Sequence, residues 1–285
     1  MTARNNQERI GADTQTSAQE APVAPAASPF SFVVPTDLIH LPSEGRFYEE
    51  GSPLHGKDVV EMRRMTTKDE DTLTNASFIK EGVVLDRLLS SLVVNKSIDP
   101  ERLLLGDKIA LLYEARKLGY GPEYNVDTMC TLCLGTGTWE YSLNDIEVRT
   151  ATQIEEEFGF EYTDKGEFNL NIESMNIDVE MRLLRGIDET RVSKKLAKKK
   201  KHKLPEEPAL ENLRAIIVSV GAETDAMLIN EFLNNLPIRE GKYLREQYRE
   251  RVPGVRAVGE YFCDSCETAR EREVPMTHEF FWPKR

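Results

Sequence analysis

Two C-x-x-C pairs, Cys130/Cys133 and Cys263/Cys266, account for all four cysteines of the chain and constrain its fold more than any other feature. A disulfide framework is not expected in a cytosolic protein, because thiol pools there keep such bonds reduced. One C-x-x-C alone suits a thioredoxin-like redox pair. Two together supply the four thiolates of a closed tetrahedral zinc site, with no position open to water or substrate. Gly135 and Gly137, just after the first pair, suit a tight knuckle. The expectation is one structural Zn2+ on Cys130, Cys133, Cys263 and Cys266. Two separate redox pairs, or free buried thiols, are the alternatives.

The separation of the pairs carries its own consequence. Residues 134–262 lie between them, so a shared metal closes a loop of about 130 residues at a cost of about 4 kcal/mol. Structural zinc contributes on the order of 10–16 kcal/mol. The metal outweighs the closure, and the intervening chain folds as an insertion between two halves of one site. Such a site holds structure and does not catalyse.

Composition narrows the function classes. The 285 residues carry 37 Lys and Arg against 49 Asp and Glu, a formal charge of −12, with 40% hydrophobic and 30% charged residues. That is the make-up of a soluble globular protein long enough to bury a real core. A chain this acidic is not built to coat nucleic acid or anionic lipid. No apolar run approaches the roughly 20 residues of a membrane helix, and the first residues lack the basic-then-apolar order of a secretory signal. No membrane partner is expected, and the cytosol is the expected location.

Along the chain, the pattern predicts an α+β protein. Residues 1–29, rich in Ala, Pro, Ser, Thr and Gln, read as a disordered or partner-bound arm. Residues 30–122 read as an N-terminal α+β unit, mostly helical. It holds an irregular loop at 41–48 and a strand at 58–65. A helix opens at Thr66 or Thr67 with Asp69 or Glu70 as capping partner and is interrupted at Gly82. An apolar helical stripe follows over 83–93, then a proline-first turn at Asp99-Pro100, and a helix capped by Asp107 that stops at Gly119. Residues 123–187 and 257–285 form a zinc-ribbon-like β module closed by the two distant knuckles. A basic linker at 188–208 contains Lys194, Lys195, Lys198, Lys199, Lys200, Lys201 and Lys203 and is expected to be solvated or extended. A helical insertion at 209–256 holds three helices, at about 209–220, 224–235 and 239–251.

Most tempting motifs have plain explanations. The lysine run could neutralise phosphates, but it lacks interleaved stacking aromatics; attraction to an acidic protein is a third use of the same residues. The histidines, His40, His55, His202 and His278, are too scattered for a dyad or a metal triad. Asp69-Glu70-Asp71 sits where carboxylates favour a helix N-terminus. No phosphate-binding loop, nucleophile elbow or HExxH is present. No catalytic residue, small-molecule substrate or organic cofactor is expected. Phe280, Phe281 and Trp282 are costly to leave in water and belong to the core or to a contact surface.

Three phrases carry a family resemblance: Leu41-Pro42-Ser43-Glu44-Gly45-Arg46-Phe47-Tyr48, Met65-Thr66-Thr67-Lys68-Asp69-Glu70-Asp71 and Gly119-Tyr120-Gly121-Pro122-Glu123-Tyr124. With the two C-x-x-C pairs and Phe280-Phe281-Trp282-Pro283, their order over roughly residues 35–285 resembles the baseplate hub assembly proteins of T4-like contractile-tailed phages. The resemblance implies a non-enzymatic tail protein, an assembly chaperone or hub component, that meets other phage baseplate or hub proteins. It places the protein in the host cell cytoplasm during assembly, and in the virion tail baseplate if retained. It also implies zinc on Cys130, Cys133, Cys263 and Cys266. The long leader and the Lys194–Lys203 run depart from the family pattern. The competing reading is a nucleic-acid-binding zinc-ribbon protein that uses the Lys194–Lys203 run.

Overall fold

Ile39 faces inward from β1 (Thr36–His40), which pairs antiparallel with β2 (Val59–Arg63), whose Val60 and Met62 are buried. The structure, a computed structural model, describes residues 34–274, 280 and 281; the readings made for residues 1–29, His278 and Trp282 lie outside the described residues. After β2, Asp69 accepts from the Thr66 N–H at 2.8 Å and starts α1 (Thr67–Leu73). The single helix expected toward residue 80 is two. Asn75 accepts from the Ser77 and Phe78 N–H groups and caps α2 (Ala76–Glu81), which ends on Gly82 in the left-handed conformation. The apolar stripe then forms α3 (Val84–Leu92), with Leu88, Leu89 and Leu92 buried. Asp99 caps a 3-10 turn at Pro100–Arg102.

α4 (Leu105–Tyr120) begins two residues before Asp107 and buries side chains on nearly every side. Asp107 is therefore not its cap. Its carboxylate turns inward and accepts from the Ser43 N–H (2.9 Å), Ser43 Oγ (2.5 Å) and Tyr48 Oη (2.8 Å).

The first cysteine pair sits in the hairpin of β3 (Glu123–Met129) and β4 (Thr136–Ser142), paired antiparallel from Glu123↔Ser142 to Met129↔Thr136. Next come β5 (Glu147–Arg149) and α5 (Ala151–Phe158), the latter bounded by Thr150 at its N-cap and a left-handed Gly159 at its end. The hairpin of β6 (Glu167–Ile172) and β7 (Ile177–Arg182) contributes Phe168, Leu170, Val179 and Met181 to the core. α6 (Gly186–Lys201), α7 (Pro208–Ile216), β8 (Ile217–Val220), α8 (Ala226–Asn235) and α9 (Ile238–Glu250) follow. β9 (Gly254–Arg256) pairs with β5, and β10 (Val258–Cys263) with β11 (Thr268–Glu273) forms the hairpin of the second cysteine pair.

Two expectations change here. The lysine run is a helix and not an extended linker: Asp188 accepts from the Arg185 N–H at 3.0 Å to start α6, and Lys195 and Lys199 anchor it on α7. The insertion is not wholly helical either. Its first helix stops at Ile216, and Ile217–Val220 joins the free edge of β7, giving the order β6-β7-β8. Alternate residues Ile217 and Ser219 are buried, the two-residue period of a strand.

The residues from Pro35 onward make one compact unit whose core runs continuously from Ile39 to Phe281. The expected irregular loop at 41–48 is ordered and ties distant elements together. Arg46 makes a bidentate pair with Glu155 at 2.6 and 2.8 Å, and Glu44 accepts from the Thr152 N–H and Oγ1. Ser43 and Tyr48 grip α4 through Asp107, while the Leu104 N–H donates to Tyr48 Oη at 3.0 Å. Fixed, fork-to-fork hydrogen bonds give this loop a single geometry.

Candidate metal centre

Each C-x-x-C lies in the turn of a two-stranded hairpin, and the turn backbone fixes where its sulfurs point. In the first knuckle the Cys130 N–H donates to the Gly135 carbonyl (2.8 Å) and the Leu134 N–H to the Cys130 carbonyl (3.0 Å). The Leu132 and Gly135 N–H groups then donate to Cys130 Sγ and Cys133 Sγ, each at 3.4 Å. The second knuckle closes over the pair Cys263↔Thr268, with Thr268 Oγ1 donating to the Cys266 carbonyl at 3.0 Å. Backbone donors aimed at sulfur favour thiolate over thiol.

The four sulfurs meet. Cys130 Sγ is 3.8 Å from Cys266 Sγ, and Cys133 Sγ is 3.6 Å from Cys263 Sγ; all four lie within 4.8 Å of one another. These are not bonding distances, since a disulfide is about 2.0 Å. They suit the edges of a tetrahedron: a Zn–S bond of about 2.3 Å gives sulfur–sulfur edges of about 3.8 Å. The donor set is four soft sulfurs, which suits zinc or an iron–sulfur centre and not a hard cation.

Their electrostatics agree. The Cys133 and Leu132 N–H groups hold Cys130 well below the ordinary thiol range. The Cys266 N–H, followed by that of Ser265 and opposed by desolvation, lowers Cys263. The Gly135 N–H pulls Cys133 down, but desolvation and the three neighbouring cysteines push it up overall. Four sulfurs this close cannot all ionise on their own. A divalent cation among them supplies the charge that would let them do so.

Packing behind the sulfurs holds the two hairpins in register. Trp139 on β4 meets Tyr261 on β10 edge to face at 5.8 Å, with Tyr141 alongside at 5.9 Å. Arg272 on β11 donates to Thr128 Oγ1 and to the Met129 carbonyl, both at 3.1 Å, and covers the Tyr261 ring. The knuckles approach so closely at Gly135 that a Cβ there would sit 2.6 Å from Ser265 Oγ and 3.2 Å from Cys133 Sγ. Around the tip Met129, Leu132, Leu134 and Phe262 are each more than half exposed.

Other residues singled out in the sequence are placed elsewhere. His40 is 3.6 Å from Asp58, His55 Nδ1 meets the Tyr48 carbonyl at 2.6 Å, and neither joins another histidine among the described residues. Phe280 and Phe281 are core: Phe280 packs against Tyr113 (4.9 Å), Tyr124 (5.2 Å) and Phe281 (5.1 Å). The residue that sequence reading missed is Arg116. Buried on α4, it donates to the carbonyls of Phe280 (2.6 Å), Gly121 (2.7 Å) and Glu123 (2.9 Å), tying Phe280 to α4 and to the start of β3. Its one signal was a charged residue directly after the run 109–115, which is apolar but for Glu114.

A cleft of about 520 Å³ lies between α4 and residues 252–258. Its buried cations are engaged: Lys108 pairs with Asp86 at 2.7 Å, and Arg149 with Glu250 and Glu157. No helix among the described residues is long and apolar enough to cross a membrane.

Comparison with known families is decisive. A family model described as T4 bacteriophage base plate protein matches residues 38–282. The chain belongs to that family. Neither a curated protein nor a solved structure matches it. The span of the match takes in the 41–48 loop, both cysteine pairs and Phe280-Phe281, so the metal centre candidate lies inside the part of this baseplate protein that the family shares.

Proposed function

We propose that this baseplate protein acts in the assembly or structure of the baseplate hub through protein–protein contacts, without catalysis. In this reading Cys130, Cys133, Cys263 and Cys266 hold a structural zinc, and the protein meets its partners in the host cytoplasm as the baseplate forms. The observation that carries it is the sulfur geometry. Four thiolates at the corners of a tetrahedron use every position of the ion, so the site supports a shape and leaves no place for a substrate.

Supporting features lie around it. Two hairpins distant in sequence are locked together by aromatic packing and by the Arg272 hydrogen bonds, a rigid platform well suited to recognition. The apolar tip residues Met129, Leu132, Leu134 and Phe262 lie on the knuckles themselves, and exposed apolar clusters of this kind mark contact surfaces. The test is co-expression of the full chain with the other baseplate proteins of its phage. Recovery of a stable complex with hub proteins, lost on metal removal, is the expected result. Recovery of nucleic acid and no tail protein would overturn the reading.

A further inference from the structure

The lysines of α6 divide into two sets. Lys195 lies 2.6 Å from Glu211, and Lys199 lies 2.8 Å from both Glu207 and Glu211, so this set is spent on joining α6 to α7. Lys194, Lys198 and Lys201 follow one another at i, i+4 and i+7 and share a different face, roughly 110° round the axis at 100° per residue. All three are exposed, as are Lys200 and Lys203, and none of the five has an ion-pair partner among the described residues.

This arrangement is unfavourable for the isolated chain. Like charges three and four apart on a helix repel. The helix dipole favours cations in the last turn, which accounts for Lys198 to Lys201 but not for Lys194, two turns from the end. The chain as a whole carries −12, so this face is a local field of opposite sign to its surroundings. An acidic partner surface is drawn to it and repelled elsewhere, which fixes both site and orientation of docking. Nucleic acid fits less well: residues 186–203 contain no Phe, Tyr or Trp on which a base could stack, their one ring being that of His202, and Glu206 and Glu207 follow two residues later.

We propose that the Lys194–Lys198–Lys201 face of α6 docks an acidic segment of another baseplate protein, an inference that rests on the protein-contact reading above. The full chain is co-expressed with the baseplate proteins of its phage, the complex is treated with a carbodiimide, and the amide bonds formed between lysine and carboxylate are mapped by mass spectrometry. Cross-links from Lys194, Lys198 or Lys201 to Asp or Glu of a different baseplate protein are expected. The variant K194E/K198E/K201E, shown by circular dichroism and metal content to be folded, should bind at least tenfold more weakly, and K194Q/K198Q/K201Q by a smaller factor.

Cross-links confined to this chain or to a second copy of it would overturn the proposal. So would cross-links that form only after nuclease treatment, which would assign the face to nucleic acid. A folded charge-reversed variant that recovers the complex undiminished would refute this face and leave the protein-contact reading standing. Failure of the unaltered chain to recover any baseplate protein would remove both.

Discussion

Replacing Arg116 by leucine tests how Phe280 is held against α4. Arg116 is 1% exposed and its guanidinium satisfies three carbonyls, those of Phe280, Gly121 and Glu123, at 2.6 to 2.9 Å, with no carboxylate among its hydrogen-bond partners in the described residues. Desolvation lowers its pKa from the usual arginine value, so the charge is retained by those three dipoles and by the Tyr120 and Phe280 rings that flank it. A hydrogen bond from a charged donor contributes roughly 1.5–3 kcal/mol. Leucine leaves three carbonyls unpaired but removes the cost of burying the cation. The balance is a loss of about 3–5 kcal/mol, the range for a broken buried network. Lysine keeps the charge but loses the planar fork that reaches three acceptors at once, and should fall between. Urea unfolding measures this through the midpoint at unchanged slope. If R116L unfolds within about 0.5 kcal/mol of the unaltered protein, the ordinary effect of a surface change, then Arg116 does not anchor Phe280 and the account of the C-terminal core is wrong.

Three further outcomes follow from the same geometry. Hydrogen bonds from Lys195 and Lys199 outweigh desolvation and hold Glu211 at about 2 against its ordinary 4.5; because the folded value is depressed, its contribution is complete above pH 4.5 and is lost as pH falls toward 2. E211Q should flatten the acid limb of a stability–pH curve in that window, and an unchanged limb would contradict the Lys195–Glu211–Lys199 link. D107A, which strips the acceptor from Ser43 and Tyr48, should cost about 2–3 kcal/mol in denaturant unfolding, and D107N less, since an amide keeps one acceptor. G106A should cost about 2–3 kcal/mol, because its Cβ would lie 1.9 Å from the Pro253 carbonyl oxygen, where α4 crosses the strand-entry segment; an undiminished melting temperature would show that the backbones are not in contact there.

Residues whose chemistry has few solutions were the ones legible in the sequence. Two C-x-x-C pairs point to one four-sulfur cluster because thiolate ligation is local in each pair and tetrahedral overall. Helix boundaries at Thr66, Gly82 and Asp99-Pro100 could be read because capping depends on neighbours only. Thr150 with Gln153, and Gly159 after them, carry the same signals for α5, which went unread although the capping pair was present in the sequence. Asp107 shows the limit of local reading. It stands where a cap would, yet its partners Ser43 and Tyr48 lie 64 and 59 residues away, and only the tertiary fold decides. Ile217–Val220 is equally ambiguous by pattern, being continuous with the stripe of α7, until the edge of β7 offers it backbone partners. The lysine run read as a linker because its composition is hydrophilic. Its helix is held by Glu207 and Glu211, whose pairing with Lys195 and Lys199 crosses the turn between two elements.

The metal content of the full chain, purified without chelator and measured by mass spectrometry alongside a count of reactive thiols, bears most directly on whether the two hairpins share an ion. The account predicts one zinc per chain, no thiol reactive in the folded state, and four once the metal is stripped. Metal-free protein with four reactive thiols and undiminished stability would contradict it.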